Sequence, residues 1–392
     1  MNGGFPLHNN RGYKSFIVFS VILMWTIFII GASGCGGTKK TGTQAGGAES
    51  AQKKRELAKI NLGQSAKANE VLSLFIGKNQ SNQRGLYIGT MEGVYFYSFD
   101  SKNVVQIVDA ESKLKAEKIN AICQEDGGKL WFGTESGVYS YNFNSVRFFD
   151  IGKTSALVQS NTGMVWAGTQ YGLALYDGSK NFNKFTRKSD NLPNDDVISF
   201  GKDTKEATLY AGTRQGAIVI SGPGSFATKS GTSMKPTPSG DLIEEPGNTE
   251  MTGNSIFAIA INSNGVMYIG TNMGINRCKN FSNWSVFSAD SEMPAKTASG
   301  IGYKKVKGNS PLISNWIKSI YIDEEDALWI ATTKGMSYFN GDGKWENYTM
   351  SEGLASNKVN AVAGEKTAVF IATAGGLNVF DYPEVKAAAP GK

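Results

Sequence analysis

Apolar and polar positions along this chain fall into short runs, and the runs recur seven times as one unit. In each unit an apolar residue precedes an aromatic. Two residues later stands Gly or Ala, then Thr, and three residues after the Thr a Gly. The aromatics are Tyr87, Trp131, Trp166, Tyr210, Tyr268, Trp329 and Phe370. The threonines are Thr90, Thr134, Thr169, Thr213, Thr271, Thr332 and Thr373, and the glycines Gly93, Gly137, Gly172, Gly216, Gly274, Gly335 and Gly376. A run such as Leu130-Trp131-Phe132 is rich in residues that suit a pleated surface. Thr-x-x-Gly between two such runs predicts a tight hairpin, with Gly free to take a positive φ.

Upstream of each pair lies a further run in which a small residue is followed by a large apolar one. These are Ser73-Leu74, Ala121-Ile122, Ala156-Leu157, Ser199-Phe200, Ala258-Ile259, Ser319-Ile320 and Ala361-Val362. A radial array accounts for the small residues, because innermost strands crowd around an axis. A more polar fourth run follows, such as Val146–Phe149. Four antiparallel strands per unit and seven units predict an all-β fold, a seven-bladed β-propeller. The last unit contains only three runs before Asp381, and the tail 383–392 is poor strand material, expected to be disordered. The missing outer strand is expected from Leu57–Leu62, which would close the ring and remove two free sheet edges.

The repeats resemble the two-component regulator propeller repeat. The residues that carry the resemblance are Gly353-Leu354-Ala355-Ser356-Asn357-Lys358-Val359, Asn191-Leu192-Pro193-Asn194-Asp195-Asp196-Val197 and, more loosely, Pro311–Ile317. Leu-Trp-x-Gly/Ala-Thr is clear at Leu130–Thr134 and Leu328–Thr332. The resemblance covers about residues 56–382 and implies the propeller fold. It also implies kinship with the periplasmic sensing parts of histidine kinases. The chain offers no kinase or second span after residue 382, so a direct signalling role is not expected.

The N-terminus bears on location. Arg11 and Lys14 precede Phe16–Ile30, a mostly apolar, uncharged run of signal-peptide length and short for a membrane span. Ala32-Ser33-Gly34-Cys35 follows, similar to a bacterial lipobox. The expected organisation is a lipoprotein signal peptide (1–34), a lipidated Cys35 with a flexible tether (35–55), and the propeller (56–382). An ordinary cleaved signal or an uncleaved anchor remain alternatives. Acyl chains on Cys35 would fix the protein to a membrane of the cell envelope. Gly36 and Gly37 favour the outer membrane if the cell is Gram-negative. The tether would reach about 25 Å as a random coil.

Net charge is +6, and loss of Arg11 and Lys14 leaves about +4. The basic residues are scattered rather than striped, which argues against a nucleic-acid partner. The only histidine is His8, which would leave with the signal. That excludes His-based nucleophilic catalysis and His-ligated metal sites in the mature chain. Asp323-Glu324-Glu325-Asp326 and Asp195-Asp196 are acidic clusters in turns, with calcium on the former the least remote metal reading. No cofactor is expected. Cys123 and Cys278 fall in different blades, too far apart to bridge, and are expected as free, buried thiols.

Two connections are long, 225–255 and 291–314, and both should emerge on one face, flanking the fifth blade. The first, rich in Gly, Ser, Thr and Pro, reads as mostly disordered. The second carries Met293, Tyr303, Lys304, Lys305 and Lys307, which form the candidate binding residues. The favoured function is a non-catalytic, monomeric, membrane-anchored lipoprotein whose propeller face binds a protein or envelope component. The alternative is a sensor of a small ligand or glycan in the central funnel. A quinoprotein-like or enzymatic scaffold, suggested only by Gly128-Lys129-Leu130-Trp131, is not favoured because that element does not recur.

Overall fold

The computed structural model describes residues 57–381 apart from 64, 108–116, 204, 237–241 and 298–299. The expected signal peptide, Cys35, tether and C-terminal tail lie outside the described residues. Seven four-stranded antiparallel sheets follow one another along the chain. Their inner strands are Val71–Lys78, Ala121–Gln124, Thr154–Gln159, Val197–Lys202, Ile256–Ile261, Ile317–Ile322 and Val359–Glu365. In the first six blades the four strands pair in chain order. The seventh takes its outer strand from the other end of the propeller. Leu57–Ile60 runs antiparallel to Gly376–Asp381, with Leu57 opposite Phe380 and Ile60 opposite Leu377. Asn360 Nδ2 donates to the Val71 carbonyl at 2.7 Å across the same join.

The repeated threonine has a local task. Each Thr hydroxyl donates to the carbonyl of the Gly three residues on, at 2.7–3.1 Å, in all seven blades. In the sixth blade Thr332 Oγ1 also accepts the Lys334 amide at 3.1 Å. All seven threonines are buried. The trailing glycine is required where φ is positive: at Gly335 φ is 141°, and a Cβ there would stand 2.6 Å from the Tyr348 carbonyl.

The core is divided into seven apolar clusters, one between each pair of neighbouring blades. The repeat aromatics supply their bulk, and Trp131 and Trp329 are wholly buried. Their indole N–H groups donate to Glu125 and Asp323 at 2.7 and 2.9 Å, tying each second strand to the turn before it. The small–large pair also finds its place. The small residue lies opposite the Gly or Ala of the second strand and faces the following blade, as Ser73 Oγ shows by donating to Ile119 O at 3.0 Å. The large residue faces the preceding blade, as Ile122 does within the cluster between the first two blades. The crowding that selects small side chains is therefore between blades.

The long connections are folded. Ser225–Lys229 is itself the outer strand of the fourth blade. Beyond it, where disorder is expected from composition, Ser233–Pro236 pairs with Leu242–Glu245. In the second connection Ser291–Thr297 pairs with Gly300–Val306. Both hairpins are closed at the base in the same way. Asn248 accepts the Ser230 amide and donates to Thr228 O, each at 2.8 Å. Asn309 does the same with Ser288 and Val286, also at 2.8 Å. The following hydroxyls, Thr249 and Ser310, donate to Ser230 O and Ser288 O. Gly-Asn-Thr/Ser is thus a second, two-copy motif that clamps an insert to its blade.

Candidate functional site

In six of the seven inner strands the register shifts near the start, just before the small residue. A bulge re-aims a side chain, and here it turns one residue per blade toward the axis. The resulting layer is Leu72, Asn120, Ser155, Ile198, Phe257, Lys318 and Asn360, with Asn120 standing just before the inner strand of the second blade at the equivalent place. These residues line a funnel of about 730 Å³. Below them Leu74, Ile122, Leu157, Phe200 and Ile259 narrow it with apolar side chains. Inner strands begin on the same side as the Thr-x-x-Gly hairpins, since Val71 pairs with Thr90 and Ile317 with Thr332. Both long hairpins connect into inner strands, so they rise from this same upper face.

Five cations line the mouth of the funnel: Lys118, Lys153, Arg214, Lys318 and Lys358. Four have carboxylate partners. Glu135 holds Lys118 at 2.9 Å and Lys153 at 3.2 Å, Asp196 holds Arg214 at 2.8 Å, and Glu70 lies 3.6 Å from Lys358. Burial opposes ionisation of Glu135, but hydrogen bonds from Lys118, Asn120 and Lys153 outweigh it and hold its carboxyl down at about 2. Lys318 has no ion pair among the described residues. Burial, followed by repulsion from Lys358, Arg214 and Lys118, pushes its ammonium below the usual lysine value. Its one favourable neighbour is aromatic. The Phe257 ring has Lys318 Nζ 5.6 Å and Arg214 Cζ 5.5 Å from its centroid.

Phe257 also touches Trp316, with ring centroids 5.9 Å apart. Trp316 is 52% exposed and forms a wall of a second cavity of about 410 Å³ between the fifth and sixth blades. That groove is bounded by Asn272, Asp290, Glu292, Lys334 and, from the long hairpin, Ser291 and Val306. The carboxamide oxygen of Asn272 is buried there without a hydrogen-bond partner.

The candidate residues from the sequence fall on this hairpin. Met293 lies opposite Lys304 in the ladder, and Tyr303 and Lys305 sit on the returning strand. Lys307 follows just after it. Tyr303 is 73% exposed, and Lys304, Lys305 and Lys307 are also exposed. Tyr303, Lys304, Lys305 and Lys307 are not among the described residues that line the funnel or the groove. The residues that do were missed because they share no residue type. Their signal is positional: each stands immediately before the small residue of the inner strand.

The acidic clusters serve the fold. Asp323 accepts the amides of Glu325 and Ala327 and the indole of Trp329. Asp195 accepts the Arg187 amide at 2.5 Å, and Asp196 pairs with Arg214. Among the described residues no group of three metal-ligating side chains is gathered. Cys123 and Cys278 are free and buried, and burial is the first cause raising both thiols, Cys278 to about 11. Neither lines the funnel. No helix among the described residues is long and apolar enough to cross a membrane.

The fold is a seven-bladed propeller whose layered funnel has a polar mouth above an apolar throat. The family model of the two-component regulator propeller matches residues 311–334. Among curated proteins, none matches the chain. Several solved structures share the fold. A catalytically inactive histidine-to-alanine variant of virginiamycin B lyase from Staphylococcus aureus, with quinupristin, superposes with a TM-score of 0.56 at 11% identity, over 84% of this chain and 99% of that one. YCF48 bound to a D1 peptide gives 0.55 at 11% identity, over 86% and 97%. The extracellular domain of a putative hybrid two-component system from B. thetaiotaomicron gives 0.41 at 18% identity, over 84% of this chain and 52% of that one. This chain therefore spans about half of that domain.

Proposed function

We propose that this chain is a non-catalytic binding protein of the cell envelope, anchored by lipid on Cys35, that meets its target through the upper face of the propeller. One observation carries the reading. The funnel mouth, the groove beside Trp316 and both clamped hairpins open on that single face. Binding sites concentrate on connections held by a rigid scaffold, and these inserts are fastened by side-chain clamps. The lyase of the same fold loses activity with one histidine. This chain's only histidine is His8, so residues 57–381 contain none. That supports a binding role over lyase chemistry.

A second reading is favoured by the lining of the funnel. Phe257, Asn120, Asn360 and the surrounding cations give it the mixed aromatic and polar mouth of a small-ligand or glycan sensor that would signal through a separate protein. Cross-linking in cells followed by mass spectrometry tests the upper face. Cross-links from Lys304, Lys305 or Lys307 to a reproducible envelope partner are expected. Replacing 231–247 and 290–308 with short turns should leave the melting temperature of the propeller nearly unchanged and abolish capture. Unchanged capture overturns the assignment. Fractionation tests the anchor: Cys35→Ser should move the protein out of the membrane fraction, and retention there would refute lipid attachment.

A further inference from the structure

The bulge layer contains one charged residue. Six blades place Leu, Asn, Ser, Ile, Phe or Asn toward the axis, and the sixth places Lys318. A lysine turned into a confined apolar-floored space is unfavourable unless something compensates it. Nothing in the described protein does so fully. The carboxylates at the mouth are engaged with other cations, Glu135 with two of them, Asp196 with Arg214 and Glu70 with Lys358. The charged groups that act on Lys318 from the second, fourth and seventh blades are cations: Lys118, Arg214 and Lys358. Phe257 offers only the face of a ring, and shares it with Arg214. The charge converging on this point is therefore one negative group short.

The surroundings give the missing group a shape. The funnel volume lies within the range of small-molecule sites, roughly 300–1,000 Å³. Phe257 lines the funnel beside Lys318 and Arg214, and the half-exposed Trp316 of the neighbouring groove touches its ring. An aromatic face beside a charged head-group site is a surface on which rings stack. The geometry points to a binding site for a small organic anion, with its carboxylate or phosphate head against Lys318 and Arg214 and its ring along Phe257. This assignment deepens the small-ligand reading above and rests on it. The depressed ammonium of Lys318 agrees, since an anion would counter both burial and the repulsion from Lys118, Arg214 and Lys358.

The test uses the full-length protein in detergent and four probes: benzoate, phenyl phosphate, inorganic phosphate and the neutral benzyl alcohol. Calorimetry and tryptophan fluorescence are the readouts, with Trp316→Phe assigning the optical signal. Benzoate or phenyl phosphate should bind saturably, and the preferred member of the pair identifies the head group. Inorganic phosphate should bind more weakly, and benzyl alcohol least. Lys318→Met should weaken the preferred anion about tenfold or more, the loss typical of a charged hydrogen-bond partner. Lys184→Gln, exposed on the outer strand Asn183–Phe185 of the third blade, should leave it unchanged. Absence of saturable binding by both ring anions at millimolar concentration overturns the inference, as does equal binding to Lys318→Met. Benzyl alcohol binding in the funnel as tightly as benzoate would preserve a ligand site and overturn its anionic character. Loss of partner capture on hairpin replacement, with no anion binding, would leave the upper-face reading standing and this one refuted.

Discussion

The seven repeat threonines and Lys318 are all polar groups in confined surroundings, and the fold treats them in opposite ways. Each threonine hydroxyl has an acceptor three residues away, in every blade. Its burial is compensated within one hairpin, independent of the rest of the ring. Lys318 lies on the same upper half of a blade, fourteen positions from Thr332, yet its neighbours across the axis are cations. Polar groups that build the propeller are satisfied locally and identically. A polar group that breaks the repeat and is left short of a partner is not explained by folding. The comparison separates what the architecture needs from what a ligand would need.

The largest effect is expected on the structural side. Thr332→Val keeps the shape but removes the donor to Gly335 O and the acceptor of the Lys334 amide. Loss of a buried hydroxyl of this kind costs about 1–3 kcal/mol. Urea unfolding should show it as a lower midpoint with an unchanged slope. The same change at Thr213 or Thr373, whose hydroxyls make the same bond at 2.8 Å, should cost a similar amount. A neutral result at all three sites would break the claim that the repeat threonine is structural.

The repeat explains why so much of the fold is legible in the sequence and so little of the site. Thr-x-x-Gly fixes a hairpin by its own hydrogen bonds, so seven copies announce seven blades. The partnerless last blade announces that Leu57–Ile60 must complete it. The funnel layer is different. It arises from a bulge, which shifts side-chain direction without altering local composition. Lys318 between Ile317 and Ser319 looks like a solvated strand lysine until the register shift turns it inward. The hairpin Ser233–Pro236 with Leu242–Glu245 was hidden by its brevity and by Pro236. The proline sits at the end of a two-stranded ladder, where the missing donor is tolerated. The Gly-Asn-Thr/Ser clamp was readable in principle, but two copies do not stand out as seven do.

Glu135 offers an intermediate case, because it does for Lys118 and Lys153 what nothing does for Lys318. Glu135→Gln should cost up to about 1 kcal/mol, a small figure because the pair is partly solvated. The pH dependence has a defined sign. The carboxyl is held down at about 2 in the fold, against about 4.3 in an unfolded chain. Its contribution is complete above about pH 5 and is lost as pH falls through about 4.3 to about 2. The stability gap between wild type and Glu135→Gln should therefore shrink on acidification across that window. The same variant should also strengthen benzoate binding, by releasing two further cations at the mouth. A gap that is constant with pH would deny the Glu135 bridge any role.

The smallest expected change carries the most information. Lys318→Met replaces a cation short of a partner with an apolar side chain of similar length, so the free protein should become more stable, by about 1–2 °C in melting temperature. The folded ammonium lies below its ordinary value, so the unfolded chain binds more protons between the folded value and about 10.4. In that window the stability of wild type rises with pH. The advantage of Lys318→Met should accordingly be greatest near neutrality and narrow as pH approaches 10, with Lys118, Arg214, Lys358 and Glu70 all still in place around the funnel. Scanning calorimetry at the two pH values measures it directly. A stabilised variant that no longer binds the anion would mean that the propeller keeps Lys318 at a cost to its own stability. A destabilised variant would return Lys318 to the class of the threonines, a residue the fold itself requires.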